Sequence, residues 1–592
     1  MLIRPFALAT LALALAACGG DNDPTQPSTP TPTPAPTPVQ PSYAADIAAL
    51  QQAIASEMQQ RQIPGLAIAL VDGDRVVWQQ GFGVTDLTTP APVDADTLFR
   101  AGSISKLFTA TALMQLVEAG KLSPDQSLAS ALPGFTIQSR WQPDVAAANA
   151  EVTLRRVLTH HAGLPEASLA GMGANPEATP TTLPSLVNGT WLAQRPGQLF
   201  AYSNLGFDLL GAVIETASGQ RYSERMQQAM LQPLGMRRSS FLADATPGRA
   251  HGHIDGQSVD IQLEYDGMPA GGLWSSAADM SRFLRMVLNQ GELDGQRILQ
   301  PATLAGMLAP QNGDNRYDGD CRIGLGWVVS PCGLTPVAPG VPMIHHDGST
   351  IGFNAQLMLL PEQKLGVIVL ANSDSAGGYA SELATDALRR LWARKTGRPL
   401  PAAPQLPASG LHTPSQDDLQ HYPGLYIDAL GSAGPLEITV QNGQLHLRAP
   451  GEAEAMQLFR DDDGWLRLPG EQGTADRNRR LQWREVDGNA LLFLQNAAGQ
   501  SMLFASKVTP SALPAAWLAR LGQYRQEGSE LEVMLAEQDG WLVLSGGNIT
   551  RLLQPLDDQR AVFAGLGRGV GDVLEAGADQ LSGLGIDFQR VP

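Results

Sequence analysis

Lysine is scarce in this chain of 592 residues: five (Lys106, Lys121, Lys364, Lys395, Lys507) among 40 basic side chains, the remainder being arginine. Basic residues are also outnumbered by 58 acidic ones, for a net charge of −18. That balance excludes nucleic acid as the main partner, because binding a phosphate backbone needs a basic face. Three cysteines (Cys18, Cys321, Cys332) are too few for a disulfide scaffold or a cysteine-rich zinc module. Past the N-terminus no stretch is long and apolar enough to cross a membrane. What the chain has in quantity is apolar residues, 43%, against 17% charged, so most of it can fold. At about 100–200 residues per domain, the length implies two to four domains.

Residues 1–17 read as a secretory signal, with Arg4 as the positive start and a short apolar run from Phe6 to Ala17. The run ends Leu15-Ala16-Ala17-Cys18, which resembles the lipobox of bacterial lipoproteins. That resemblance implies lipidation of Cys18 and anchoring in the bacterial cell envelope. Gly19 at the next position, where Asp favours inner-membrane retention, leans the expectation to the outer membrane facing the periplasm. Residues 18–42 follow as a tether in which alternating Thr-Pro favours extended polyproline II. At about 3.1 Å per residue its Pro-rich stretch, Asp21 to Pro41, reaches roughly 70 Å.

Residues 43–397 form the first folded unit. Ile47, Leu50, Ile54 and Met58 are spaced as one face of a helix. Gly65 to Val71, the turn signal Asp72-Gly73 and Arg75 to Gly81 predict two strands. A helix is expected around 103–119, stopped by Gly120, and another opened by a capping box at Ser276-Ala-Ala-Asp279. Leu357 to Pro361 and Leu365 to Leu370 read as strands, and Ala380 to Lys395 as a last helix. Strands at both ends with helices between predict an α/β (α+β) body whose sheet joins the two ends of the unit.

Ser103-Ile104-Ser105-Lys106 carries chemistry. Three residues are just under one helical turn, so Ser103 and Lys106 share a face. A serine hydroxyl is a poor nucleophile until a base takes its proton, and a desolvated lysine is such a base. Tyr202-Ser203-Asn204 and His346-Asp347-Gly348 lie downstream. In order and spacing these motifs resemble the penicillin-recognising serine hydrolases: class C β-lactamases, D-alanyl-D-alanine carboxypeptidases, D-aminopeptidases and related esterases. Leu158 to Pro165, Pro196-Gly197 through Leu210-Gly211, Ala270-Gly271-Gly272-Leu273 and Gly324-Leu325-Gly326-Trp327 extend the likeness along the unit.

The resemblance implies a β-lactamase/transpeptidase-like catalytic domain: an antiparallel sheet flanked by helices, plus a helical subdomain. It implies Ser103 as nucleophile, Lys106 and Tyr202 as the activating pair with the tyrosine passing the proton on as a phenolate, and Asn204 and Gly348 as substrate-orienting. The backbone N–H groups of Ser103 and Ser349 would form the oxyanion hole. His346, in the catalytic set, stands where β-lactamases proper carry a lysine. A group mostly neutral at pH 7 there weakens the expectation of strong grip on a substrate carboxylate.

No cofactor or metal is expected. His160-His161 lack an evident third ligand, and His251-Gly-His253 reads as loop. Asp314 to Asp320 and Asp461-Asp462-Asp463-Gly464 do not fit a calcium loop and read as solvated turns. Cys321 and Cys332 are expected to pair as a disulfide in an exported chain.

Residues 398–412 are a Pro-rich linker. Beyond it short alternating strands appear twice, in units 413–508 and 509–592. Leu436–Val440, Asn442-Gly443 and Gln444–Leu447 make a hairpin, repeated about 96 residues on at Leu531–Leu535, Asp539-Gly540 and Trp541–Leu544. Two small antiparallel β-barrels or sandwiches follow, with no nucleophile or metal set, expected to pack against and shield the catalytic mouth. The expected function is hydrolysis of an ester or amide in a small-molecule or peptide substrate through an acyl-enzyme on Ser103. The alternative is a non-turnover penicillin-binding or envelope-binding protein that keeps the fold.

Overall fold

A run of eight buried residues, β1 (Gly65–Asp72), forms an interior strand of a sheet rather than its edge. The structure is a computed structural model. It describes residues 41–168, 179–242, 248–259, 268–431, 434–450, 452–469, 475–527, 531–547, 549–583 and 585–592. The expected signal, Cys18 and nearly all of the tether lie outside the described residues. Ser42–Pro592 make one compact unit.

The turn at Gly73, with φ +60°, returns the chain as β2 (Arg75–Gly83). The other neighbours of β1 come from far along the chain: β3 (Ile344–Thr350), β4 (Phe353–Leu360) and β5 (Leu365–Ala371). The order is β3-β4-β5-β1-β2, all antiparallel, with Leu66 opposite Ala371. The sheet therefore joins the two ends of the catalytic unit. It also leaves β3, which carries His346 to Ser349, as an edge strand.

One face of the sheet packs on α1 (Ala44–Gln60), through Leu50, Ile54 and Met58. The C-terminal helix of the catalytic unit, which the sequence places from Ala380, spans Gly377–Thr396 and shares that core through Leu383, Leu388 and Leu391. The opposite face packs on the helical subdomain. There α2 (Ser105–Glu118) is buried almost all round, and α3 (Asn204–Ser218) packs beside it. Burial on all sides fixes α2 as the axis of the subdomain.

At α4 (Ala277–Leu288) only half of the expected capping box forms. The Ser276 hydroxyl accepts the Asp279 N–H at 3.2 Å. The Asp279 carboxylate instead accepts from Arg238 N, Ser239 N and the Ser239 hydroxyl at 2.8–3.0 Å. An adjacent loop with several orphan N–H donors outcompetes the single N-cap donor. His253 also departs from expectation. It is fully buried in a short strand (Gly252–Ile254), with Nδ1 on Asn372 O at 2.8 Å and Nε2 accepting Leu87 N–H at 3.2 Å.

The C-terminal third is a nine-stranded antiparallel sheet followed by a closed eight-stranded barrel. The repeated hairpins are present: Asn442 and Gly443 (φ +52°, +72°) and Asp539 and Gly540 (φ +52°, +81°) take the left-handed conformations a tight two-residue turn requires. The first strands match in detail. Tyr426 donates its hydroxyl to Tyr422 O at 2.7 Å, and Tyr524 does so to Arg520 O at 2.6 Å, four residues upstream in each case. The expected solvated turn at Asp461 is buried structure. Its carboxylate accepts from Arg467 Nε at 2.7 Å and Arg480 Nη1 at 2.9 Å. Among the described residues no helix is long and apolar enough to cross a membrane.

Candidate active site

Ser103 lies in a single 3-10 turn (Gly102–Ile104) that feeds directly into α2, whose first turn holds Lys106. The edge strand β3 passes against this turn at contact distance. A Cβ on Gly102 would lie 2.8 Å from Ser349 N, and one on Gly348 would lie 2.0 Å from Ala101 O. Both positions therefore need glycine, and the backbones of Ser103 and Ser349 are held side by side. Gly348 permits this close approach of two backbones.

Lys106 is fully buried. Its Nζ donates to Asn204 Oδ1 at 2.7 Å and Ala270 O at 2.7 Å, and lies 3.2 Å from Ser103 Oγ. Burial pushes its pKa down to about 7; Asp208 opposes that shift, and Arg568 adds to it. Asp208, one helical turn after Asn204, accepts Ala270 N–H at 2.9 Å and so fixes the carbonyl that Lys106 uses.

The Tyr202 hydroxyl faces Ser103, whose interaction opposes the rise in the tyrosine pKa, and its ring stacks on His160 with centroids 4.3 Å apart. Burial raises the Tyr202 pKa well above the usual phenol value, and the nearby Asp347 adds to that. The phenolate expected from the sequence is thereby disfavoured: desolvation outweighs the cations beside the ring. His160 accepts Ser203 N–H on Nδ1 at 3.0 Å, and burial holds its pKa well below the usual imidazole value.

His346 has its Nδ1 2.6 Å from Asp347 O. A carbonyl only accepts, so Nδ1 carries the proton and Nε2 the lone pair. Burial lowers the His346 pKa, against the pull of Asp347, so the ring is neutral near pH 7. His161 and His160 gather no metal set: among the described residues no group of three His, Cys, Asp or Glu side chains could hold a metal ion. His161 instead binds Asp318 at 2.8 Å, and Asp318 also accepts Phe200 N–H at 2.8 Å and the Asn312 amide at 2.7 Å. Asp318 is thus a buried bracket behind the site, where the sequence predicts a solvated turn. Cys321 and Cys332 are joined as a disulfide beside it.

Ser103, Tyr202, His346 and Ser349 open onto one cavity of ≈ 310 Å³. Its far wall is not catalytic-domain structure. Leu430, Met502 and Leu503 come from the nine-stranded unit, and Arg568 from the closed barrel. Arg568 sits on a strap in which every second residue is glycine: Gly565, Gly567, Gly569 and Gly571, all with positive φ. A Cβ at Gly567 would lie 2.4 Å from Ala429 O, and one at Gly571 2.0 Å from Ala193 O. The strap is pinned by Arg568 N to Ala429 O (2.9 Å) and by Gln194 Nε2 to Val570 O (2.9 Å). Arg568 is absent from the site drawn from sequence. The signal was the alternating-glycine run around a single arginine, which marks close backbone approach.

Sheet, helical subdomain and site define a beta-lactamase-type fold. The sequence model of the Beta-lactamase family matches residues 50–390, and the chain belongs to that family. It is 29% identical over 371 residues to Penicillin-binding protein 4 of Amycolatopsis lactamdurans, covering 60% of this chain and 92% of that protein. It is 26% identical over 350 residues to Unguisins hydrolase ungD of Aspergillus violaceofuscus, covering 54% of this chain and 60% of the relative's length. The octameric penicillin-binding protein homologue from Pyrococcus abyssi superposes with a TM-score of 0.52 at 24% identity, covering 85% of this chain and 99% of that one. SurE superposes at 0.55, also at 24% identity, over 78% of this chain and 99% of that one. These structures carry the likeness of fold into the C-terminal third.

Proposed function

We propose that this protein is a serine hydrolase that cleaves an ester or amide through an acyl-enzyme on Ser103. The observation that carries this reading is the buried Lys106 amine, 3.2 Å from Ser103 Oγ and otherwise surrounded by acceptors. A neutral amine donates its two hydrogens to Asn204 Oδ1 and Ala270 O, which turns its lone pair on the serine hydroxyl. Lys106 takes the proton as Ser103 Oγ bonds to the substrate carbonyl carbon. The oxyanion that forms is held by the N–H groups of Ser103 and Ser349. Tyr202, kept neutral, relays a proton to the departing amine or alcohol without becoming a lasting phenolate. Water then attacks the acyl-serine ester, releasing the acid and restoring Ser103.

His346 presents a lone pair on Nε2 and supplies no fixed positive charge for the substrate. Ester and amide substrates of the D-aminopeptidase, peptidoglycan-peptidase and esterase kinds all fit this reading. The hydrolase named among the relatives supports turnover over mere binding. A fluorophosphonate probe should label Ser103, located by mass spectrometry of the labelled peptide. Failure to label, with activity intact in Ser103→Ala, overturns the reading. We further propose that Cys18 tethers the protein to the cell envelope. Incorporation of radiolabelled palmitate, lost in Cys18→Ala, tests this.

A further inference from the structure

The cleft needs a cation if its substrate is anionic, and among the described residues of the catalytic domain that line the cavity none is a free one. Lys106, as the neutral base, gives its two hydrogens to Asn204 Oδ1 and Ala270 O and turns its lone pair on Ser103. His346 is neutral, and Asp347, which also lines the cavity, is acidic. Arg568 is different. Its Nε is held by Glu166 at 2.5 Å, and its guanidinium lies 4.9 Å from the Tyr202 ring centroid. The side chain is 43% exposed and faces the cavity, and Nη1 and Nη2 have no hydrogen-bond partner among the described residues. A guanidinium fixed at Nε presents its outer edge as a two-pronged fork, the geometry that matches a carboxylate. The strap that carries it is anchored at both sides of the arginine, so the fork is preorganised and not a side chain swinging in solvent.

The geometry points to Arg568 as the residue that binds a free carboxylate on the substrate, close to the bond Ser103 attacks. The substrate class is then an acylated amino acid or peptide ending in a carboxylate, with an apolar side chain against Leu430, Met502 and Leu503. An uncharged ester, or a peptide recognised by its N-terminal ammonium, does not fit the arginine. The inference rests on the acyl-enzyme reading for the placement of the scissile bond, but the binding claim can be tested without turnover.

The probes are N-acetylated alanine, leucine and phenylalanine, in both enantiomers, each as free acid and as carboxamide. Binding is measured by calorimetry to full-length Ser103→Ala protein with and without Arg568→Gln. At least one acid should bind about 10- to 100-fold more tightly than its carboxamide, as expected for a charge-assisted pair. Arg568→Gln should bring that ratio close to one, and Arg568→Lys should restore part of it. A merely structural role for Arg568 would weaken acid and amide alike and leave the ratio unchanged. Either that result, or equal affinity for acid and amide in the Arg568-containing protein, overturns the proposal. Fluorophosphonate labelling of Ser103 in the Arg568→Gln protein reports separately on the acyl-enzyme chemistry.

Discussion

The carboxylate of Glu166 holds Arg568 Nε at 2.5 Å, across 402 residues of chain. The backbone carbonyl of the same Glu166 accepts the N–H of Asn204 at 2.6 Å, and Asn204 in turn binds Lys106. One residue thus links the barrel strap to Lys106.

Removing that carboxylate should loosen Arg568 without dismantling the nucleophile. In Glu166→Ala, KM for a carboxylate-bearing substrate is expected to rise by more than kcat falls, because the backbone contact to Asn204 remains. Steady-state kinetics on paired acid and amide substrates check this; a fall confined to kcat would contradict it.

Lys106 sets a pH dependence. Its pKa falls from the usual 10.5 to about 7 on burial, and the proposed acylation needs the neutral amine. Labelling of Ser103 by a neutral fluorophosphonate should therefore rise about tenfold per pH unit below 7 and level off above it. Stability follows the same shift: the unfolded chain binds the extra proton between pH 7 and 10.5, so folding is favoured as pH rises through that window. A labelling rate flat from pH 5 to 9 would exclude Lys106 as the base.

In the proposed mechanism Tyr202 contributes a proton path but no charge. Tyr202→Phe should keep the fold and lower kcat by about 10²–10⁴-fold. Activated esters, whose leaving groups need no proton, should lose less than amides. Equal losses on both would argue that the hydroxyl matters for positioning alone.

Gly348→Ala inserts a Cβ 2.0 Å from Ala101 O. The strand must move away from the nucleophile turn, separating Ser349 N from Ser103 N. Labelling should fall at least tenfold, with a stability loss of about 1–3 kcal/mol. Circular dichroism and thermal unfolding separate this from global misfolding; a fully active variant would show that the strand need not approach so closely.

Local pattern made much of the fold legible. The spacing of Leu50, Ile54 and Met58 is the buried face of α1, and Asn442-Gly443 is a tight turn as its residue types require. Gly424-Leu-Tyr426 and Gly522-Gln-Tyr524 mark matched first strands of the two C-terminal units, because both tyrosines bond back four residues. Reading failed where a polar group's partner is remote. Asp318 and Asp461 look like solvated acids until His161, Arg467 and Arg480 are folded onto them. Asp279 looks like one half of a capping box until the 238–239 loop arrives.

The sequence by itself determined which chemical groups are present and which lie one helical turn apart: Ser103 and Lys106 meet because three residues nearly complete a turn. Tertiary structure alone decided their protonation and their company. Desolvation of Lys106 and Tyr202 depends on segments packed around them from across the catalytic domain. The cation in the cleft depends on a barrel loop near the far end of the chain. Burial and Coulomb interaction act through space, and neither is encoded in the spacing of residues along one segment.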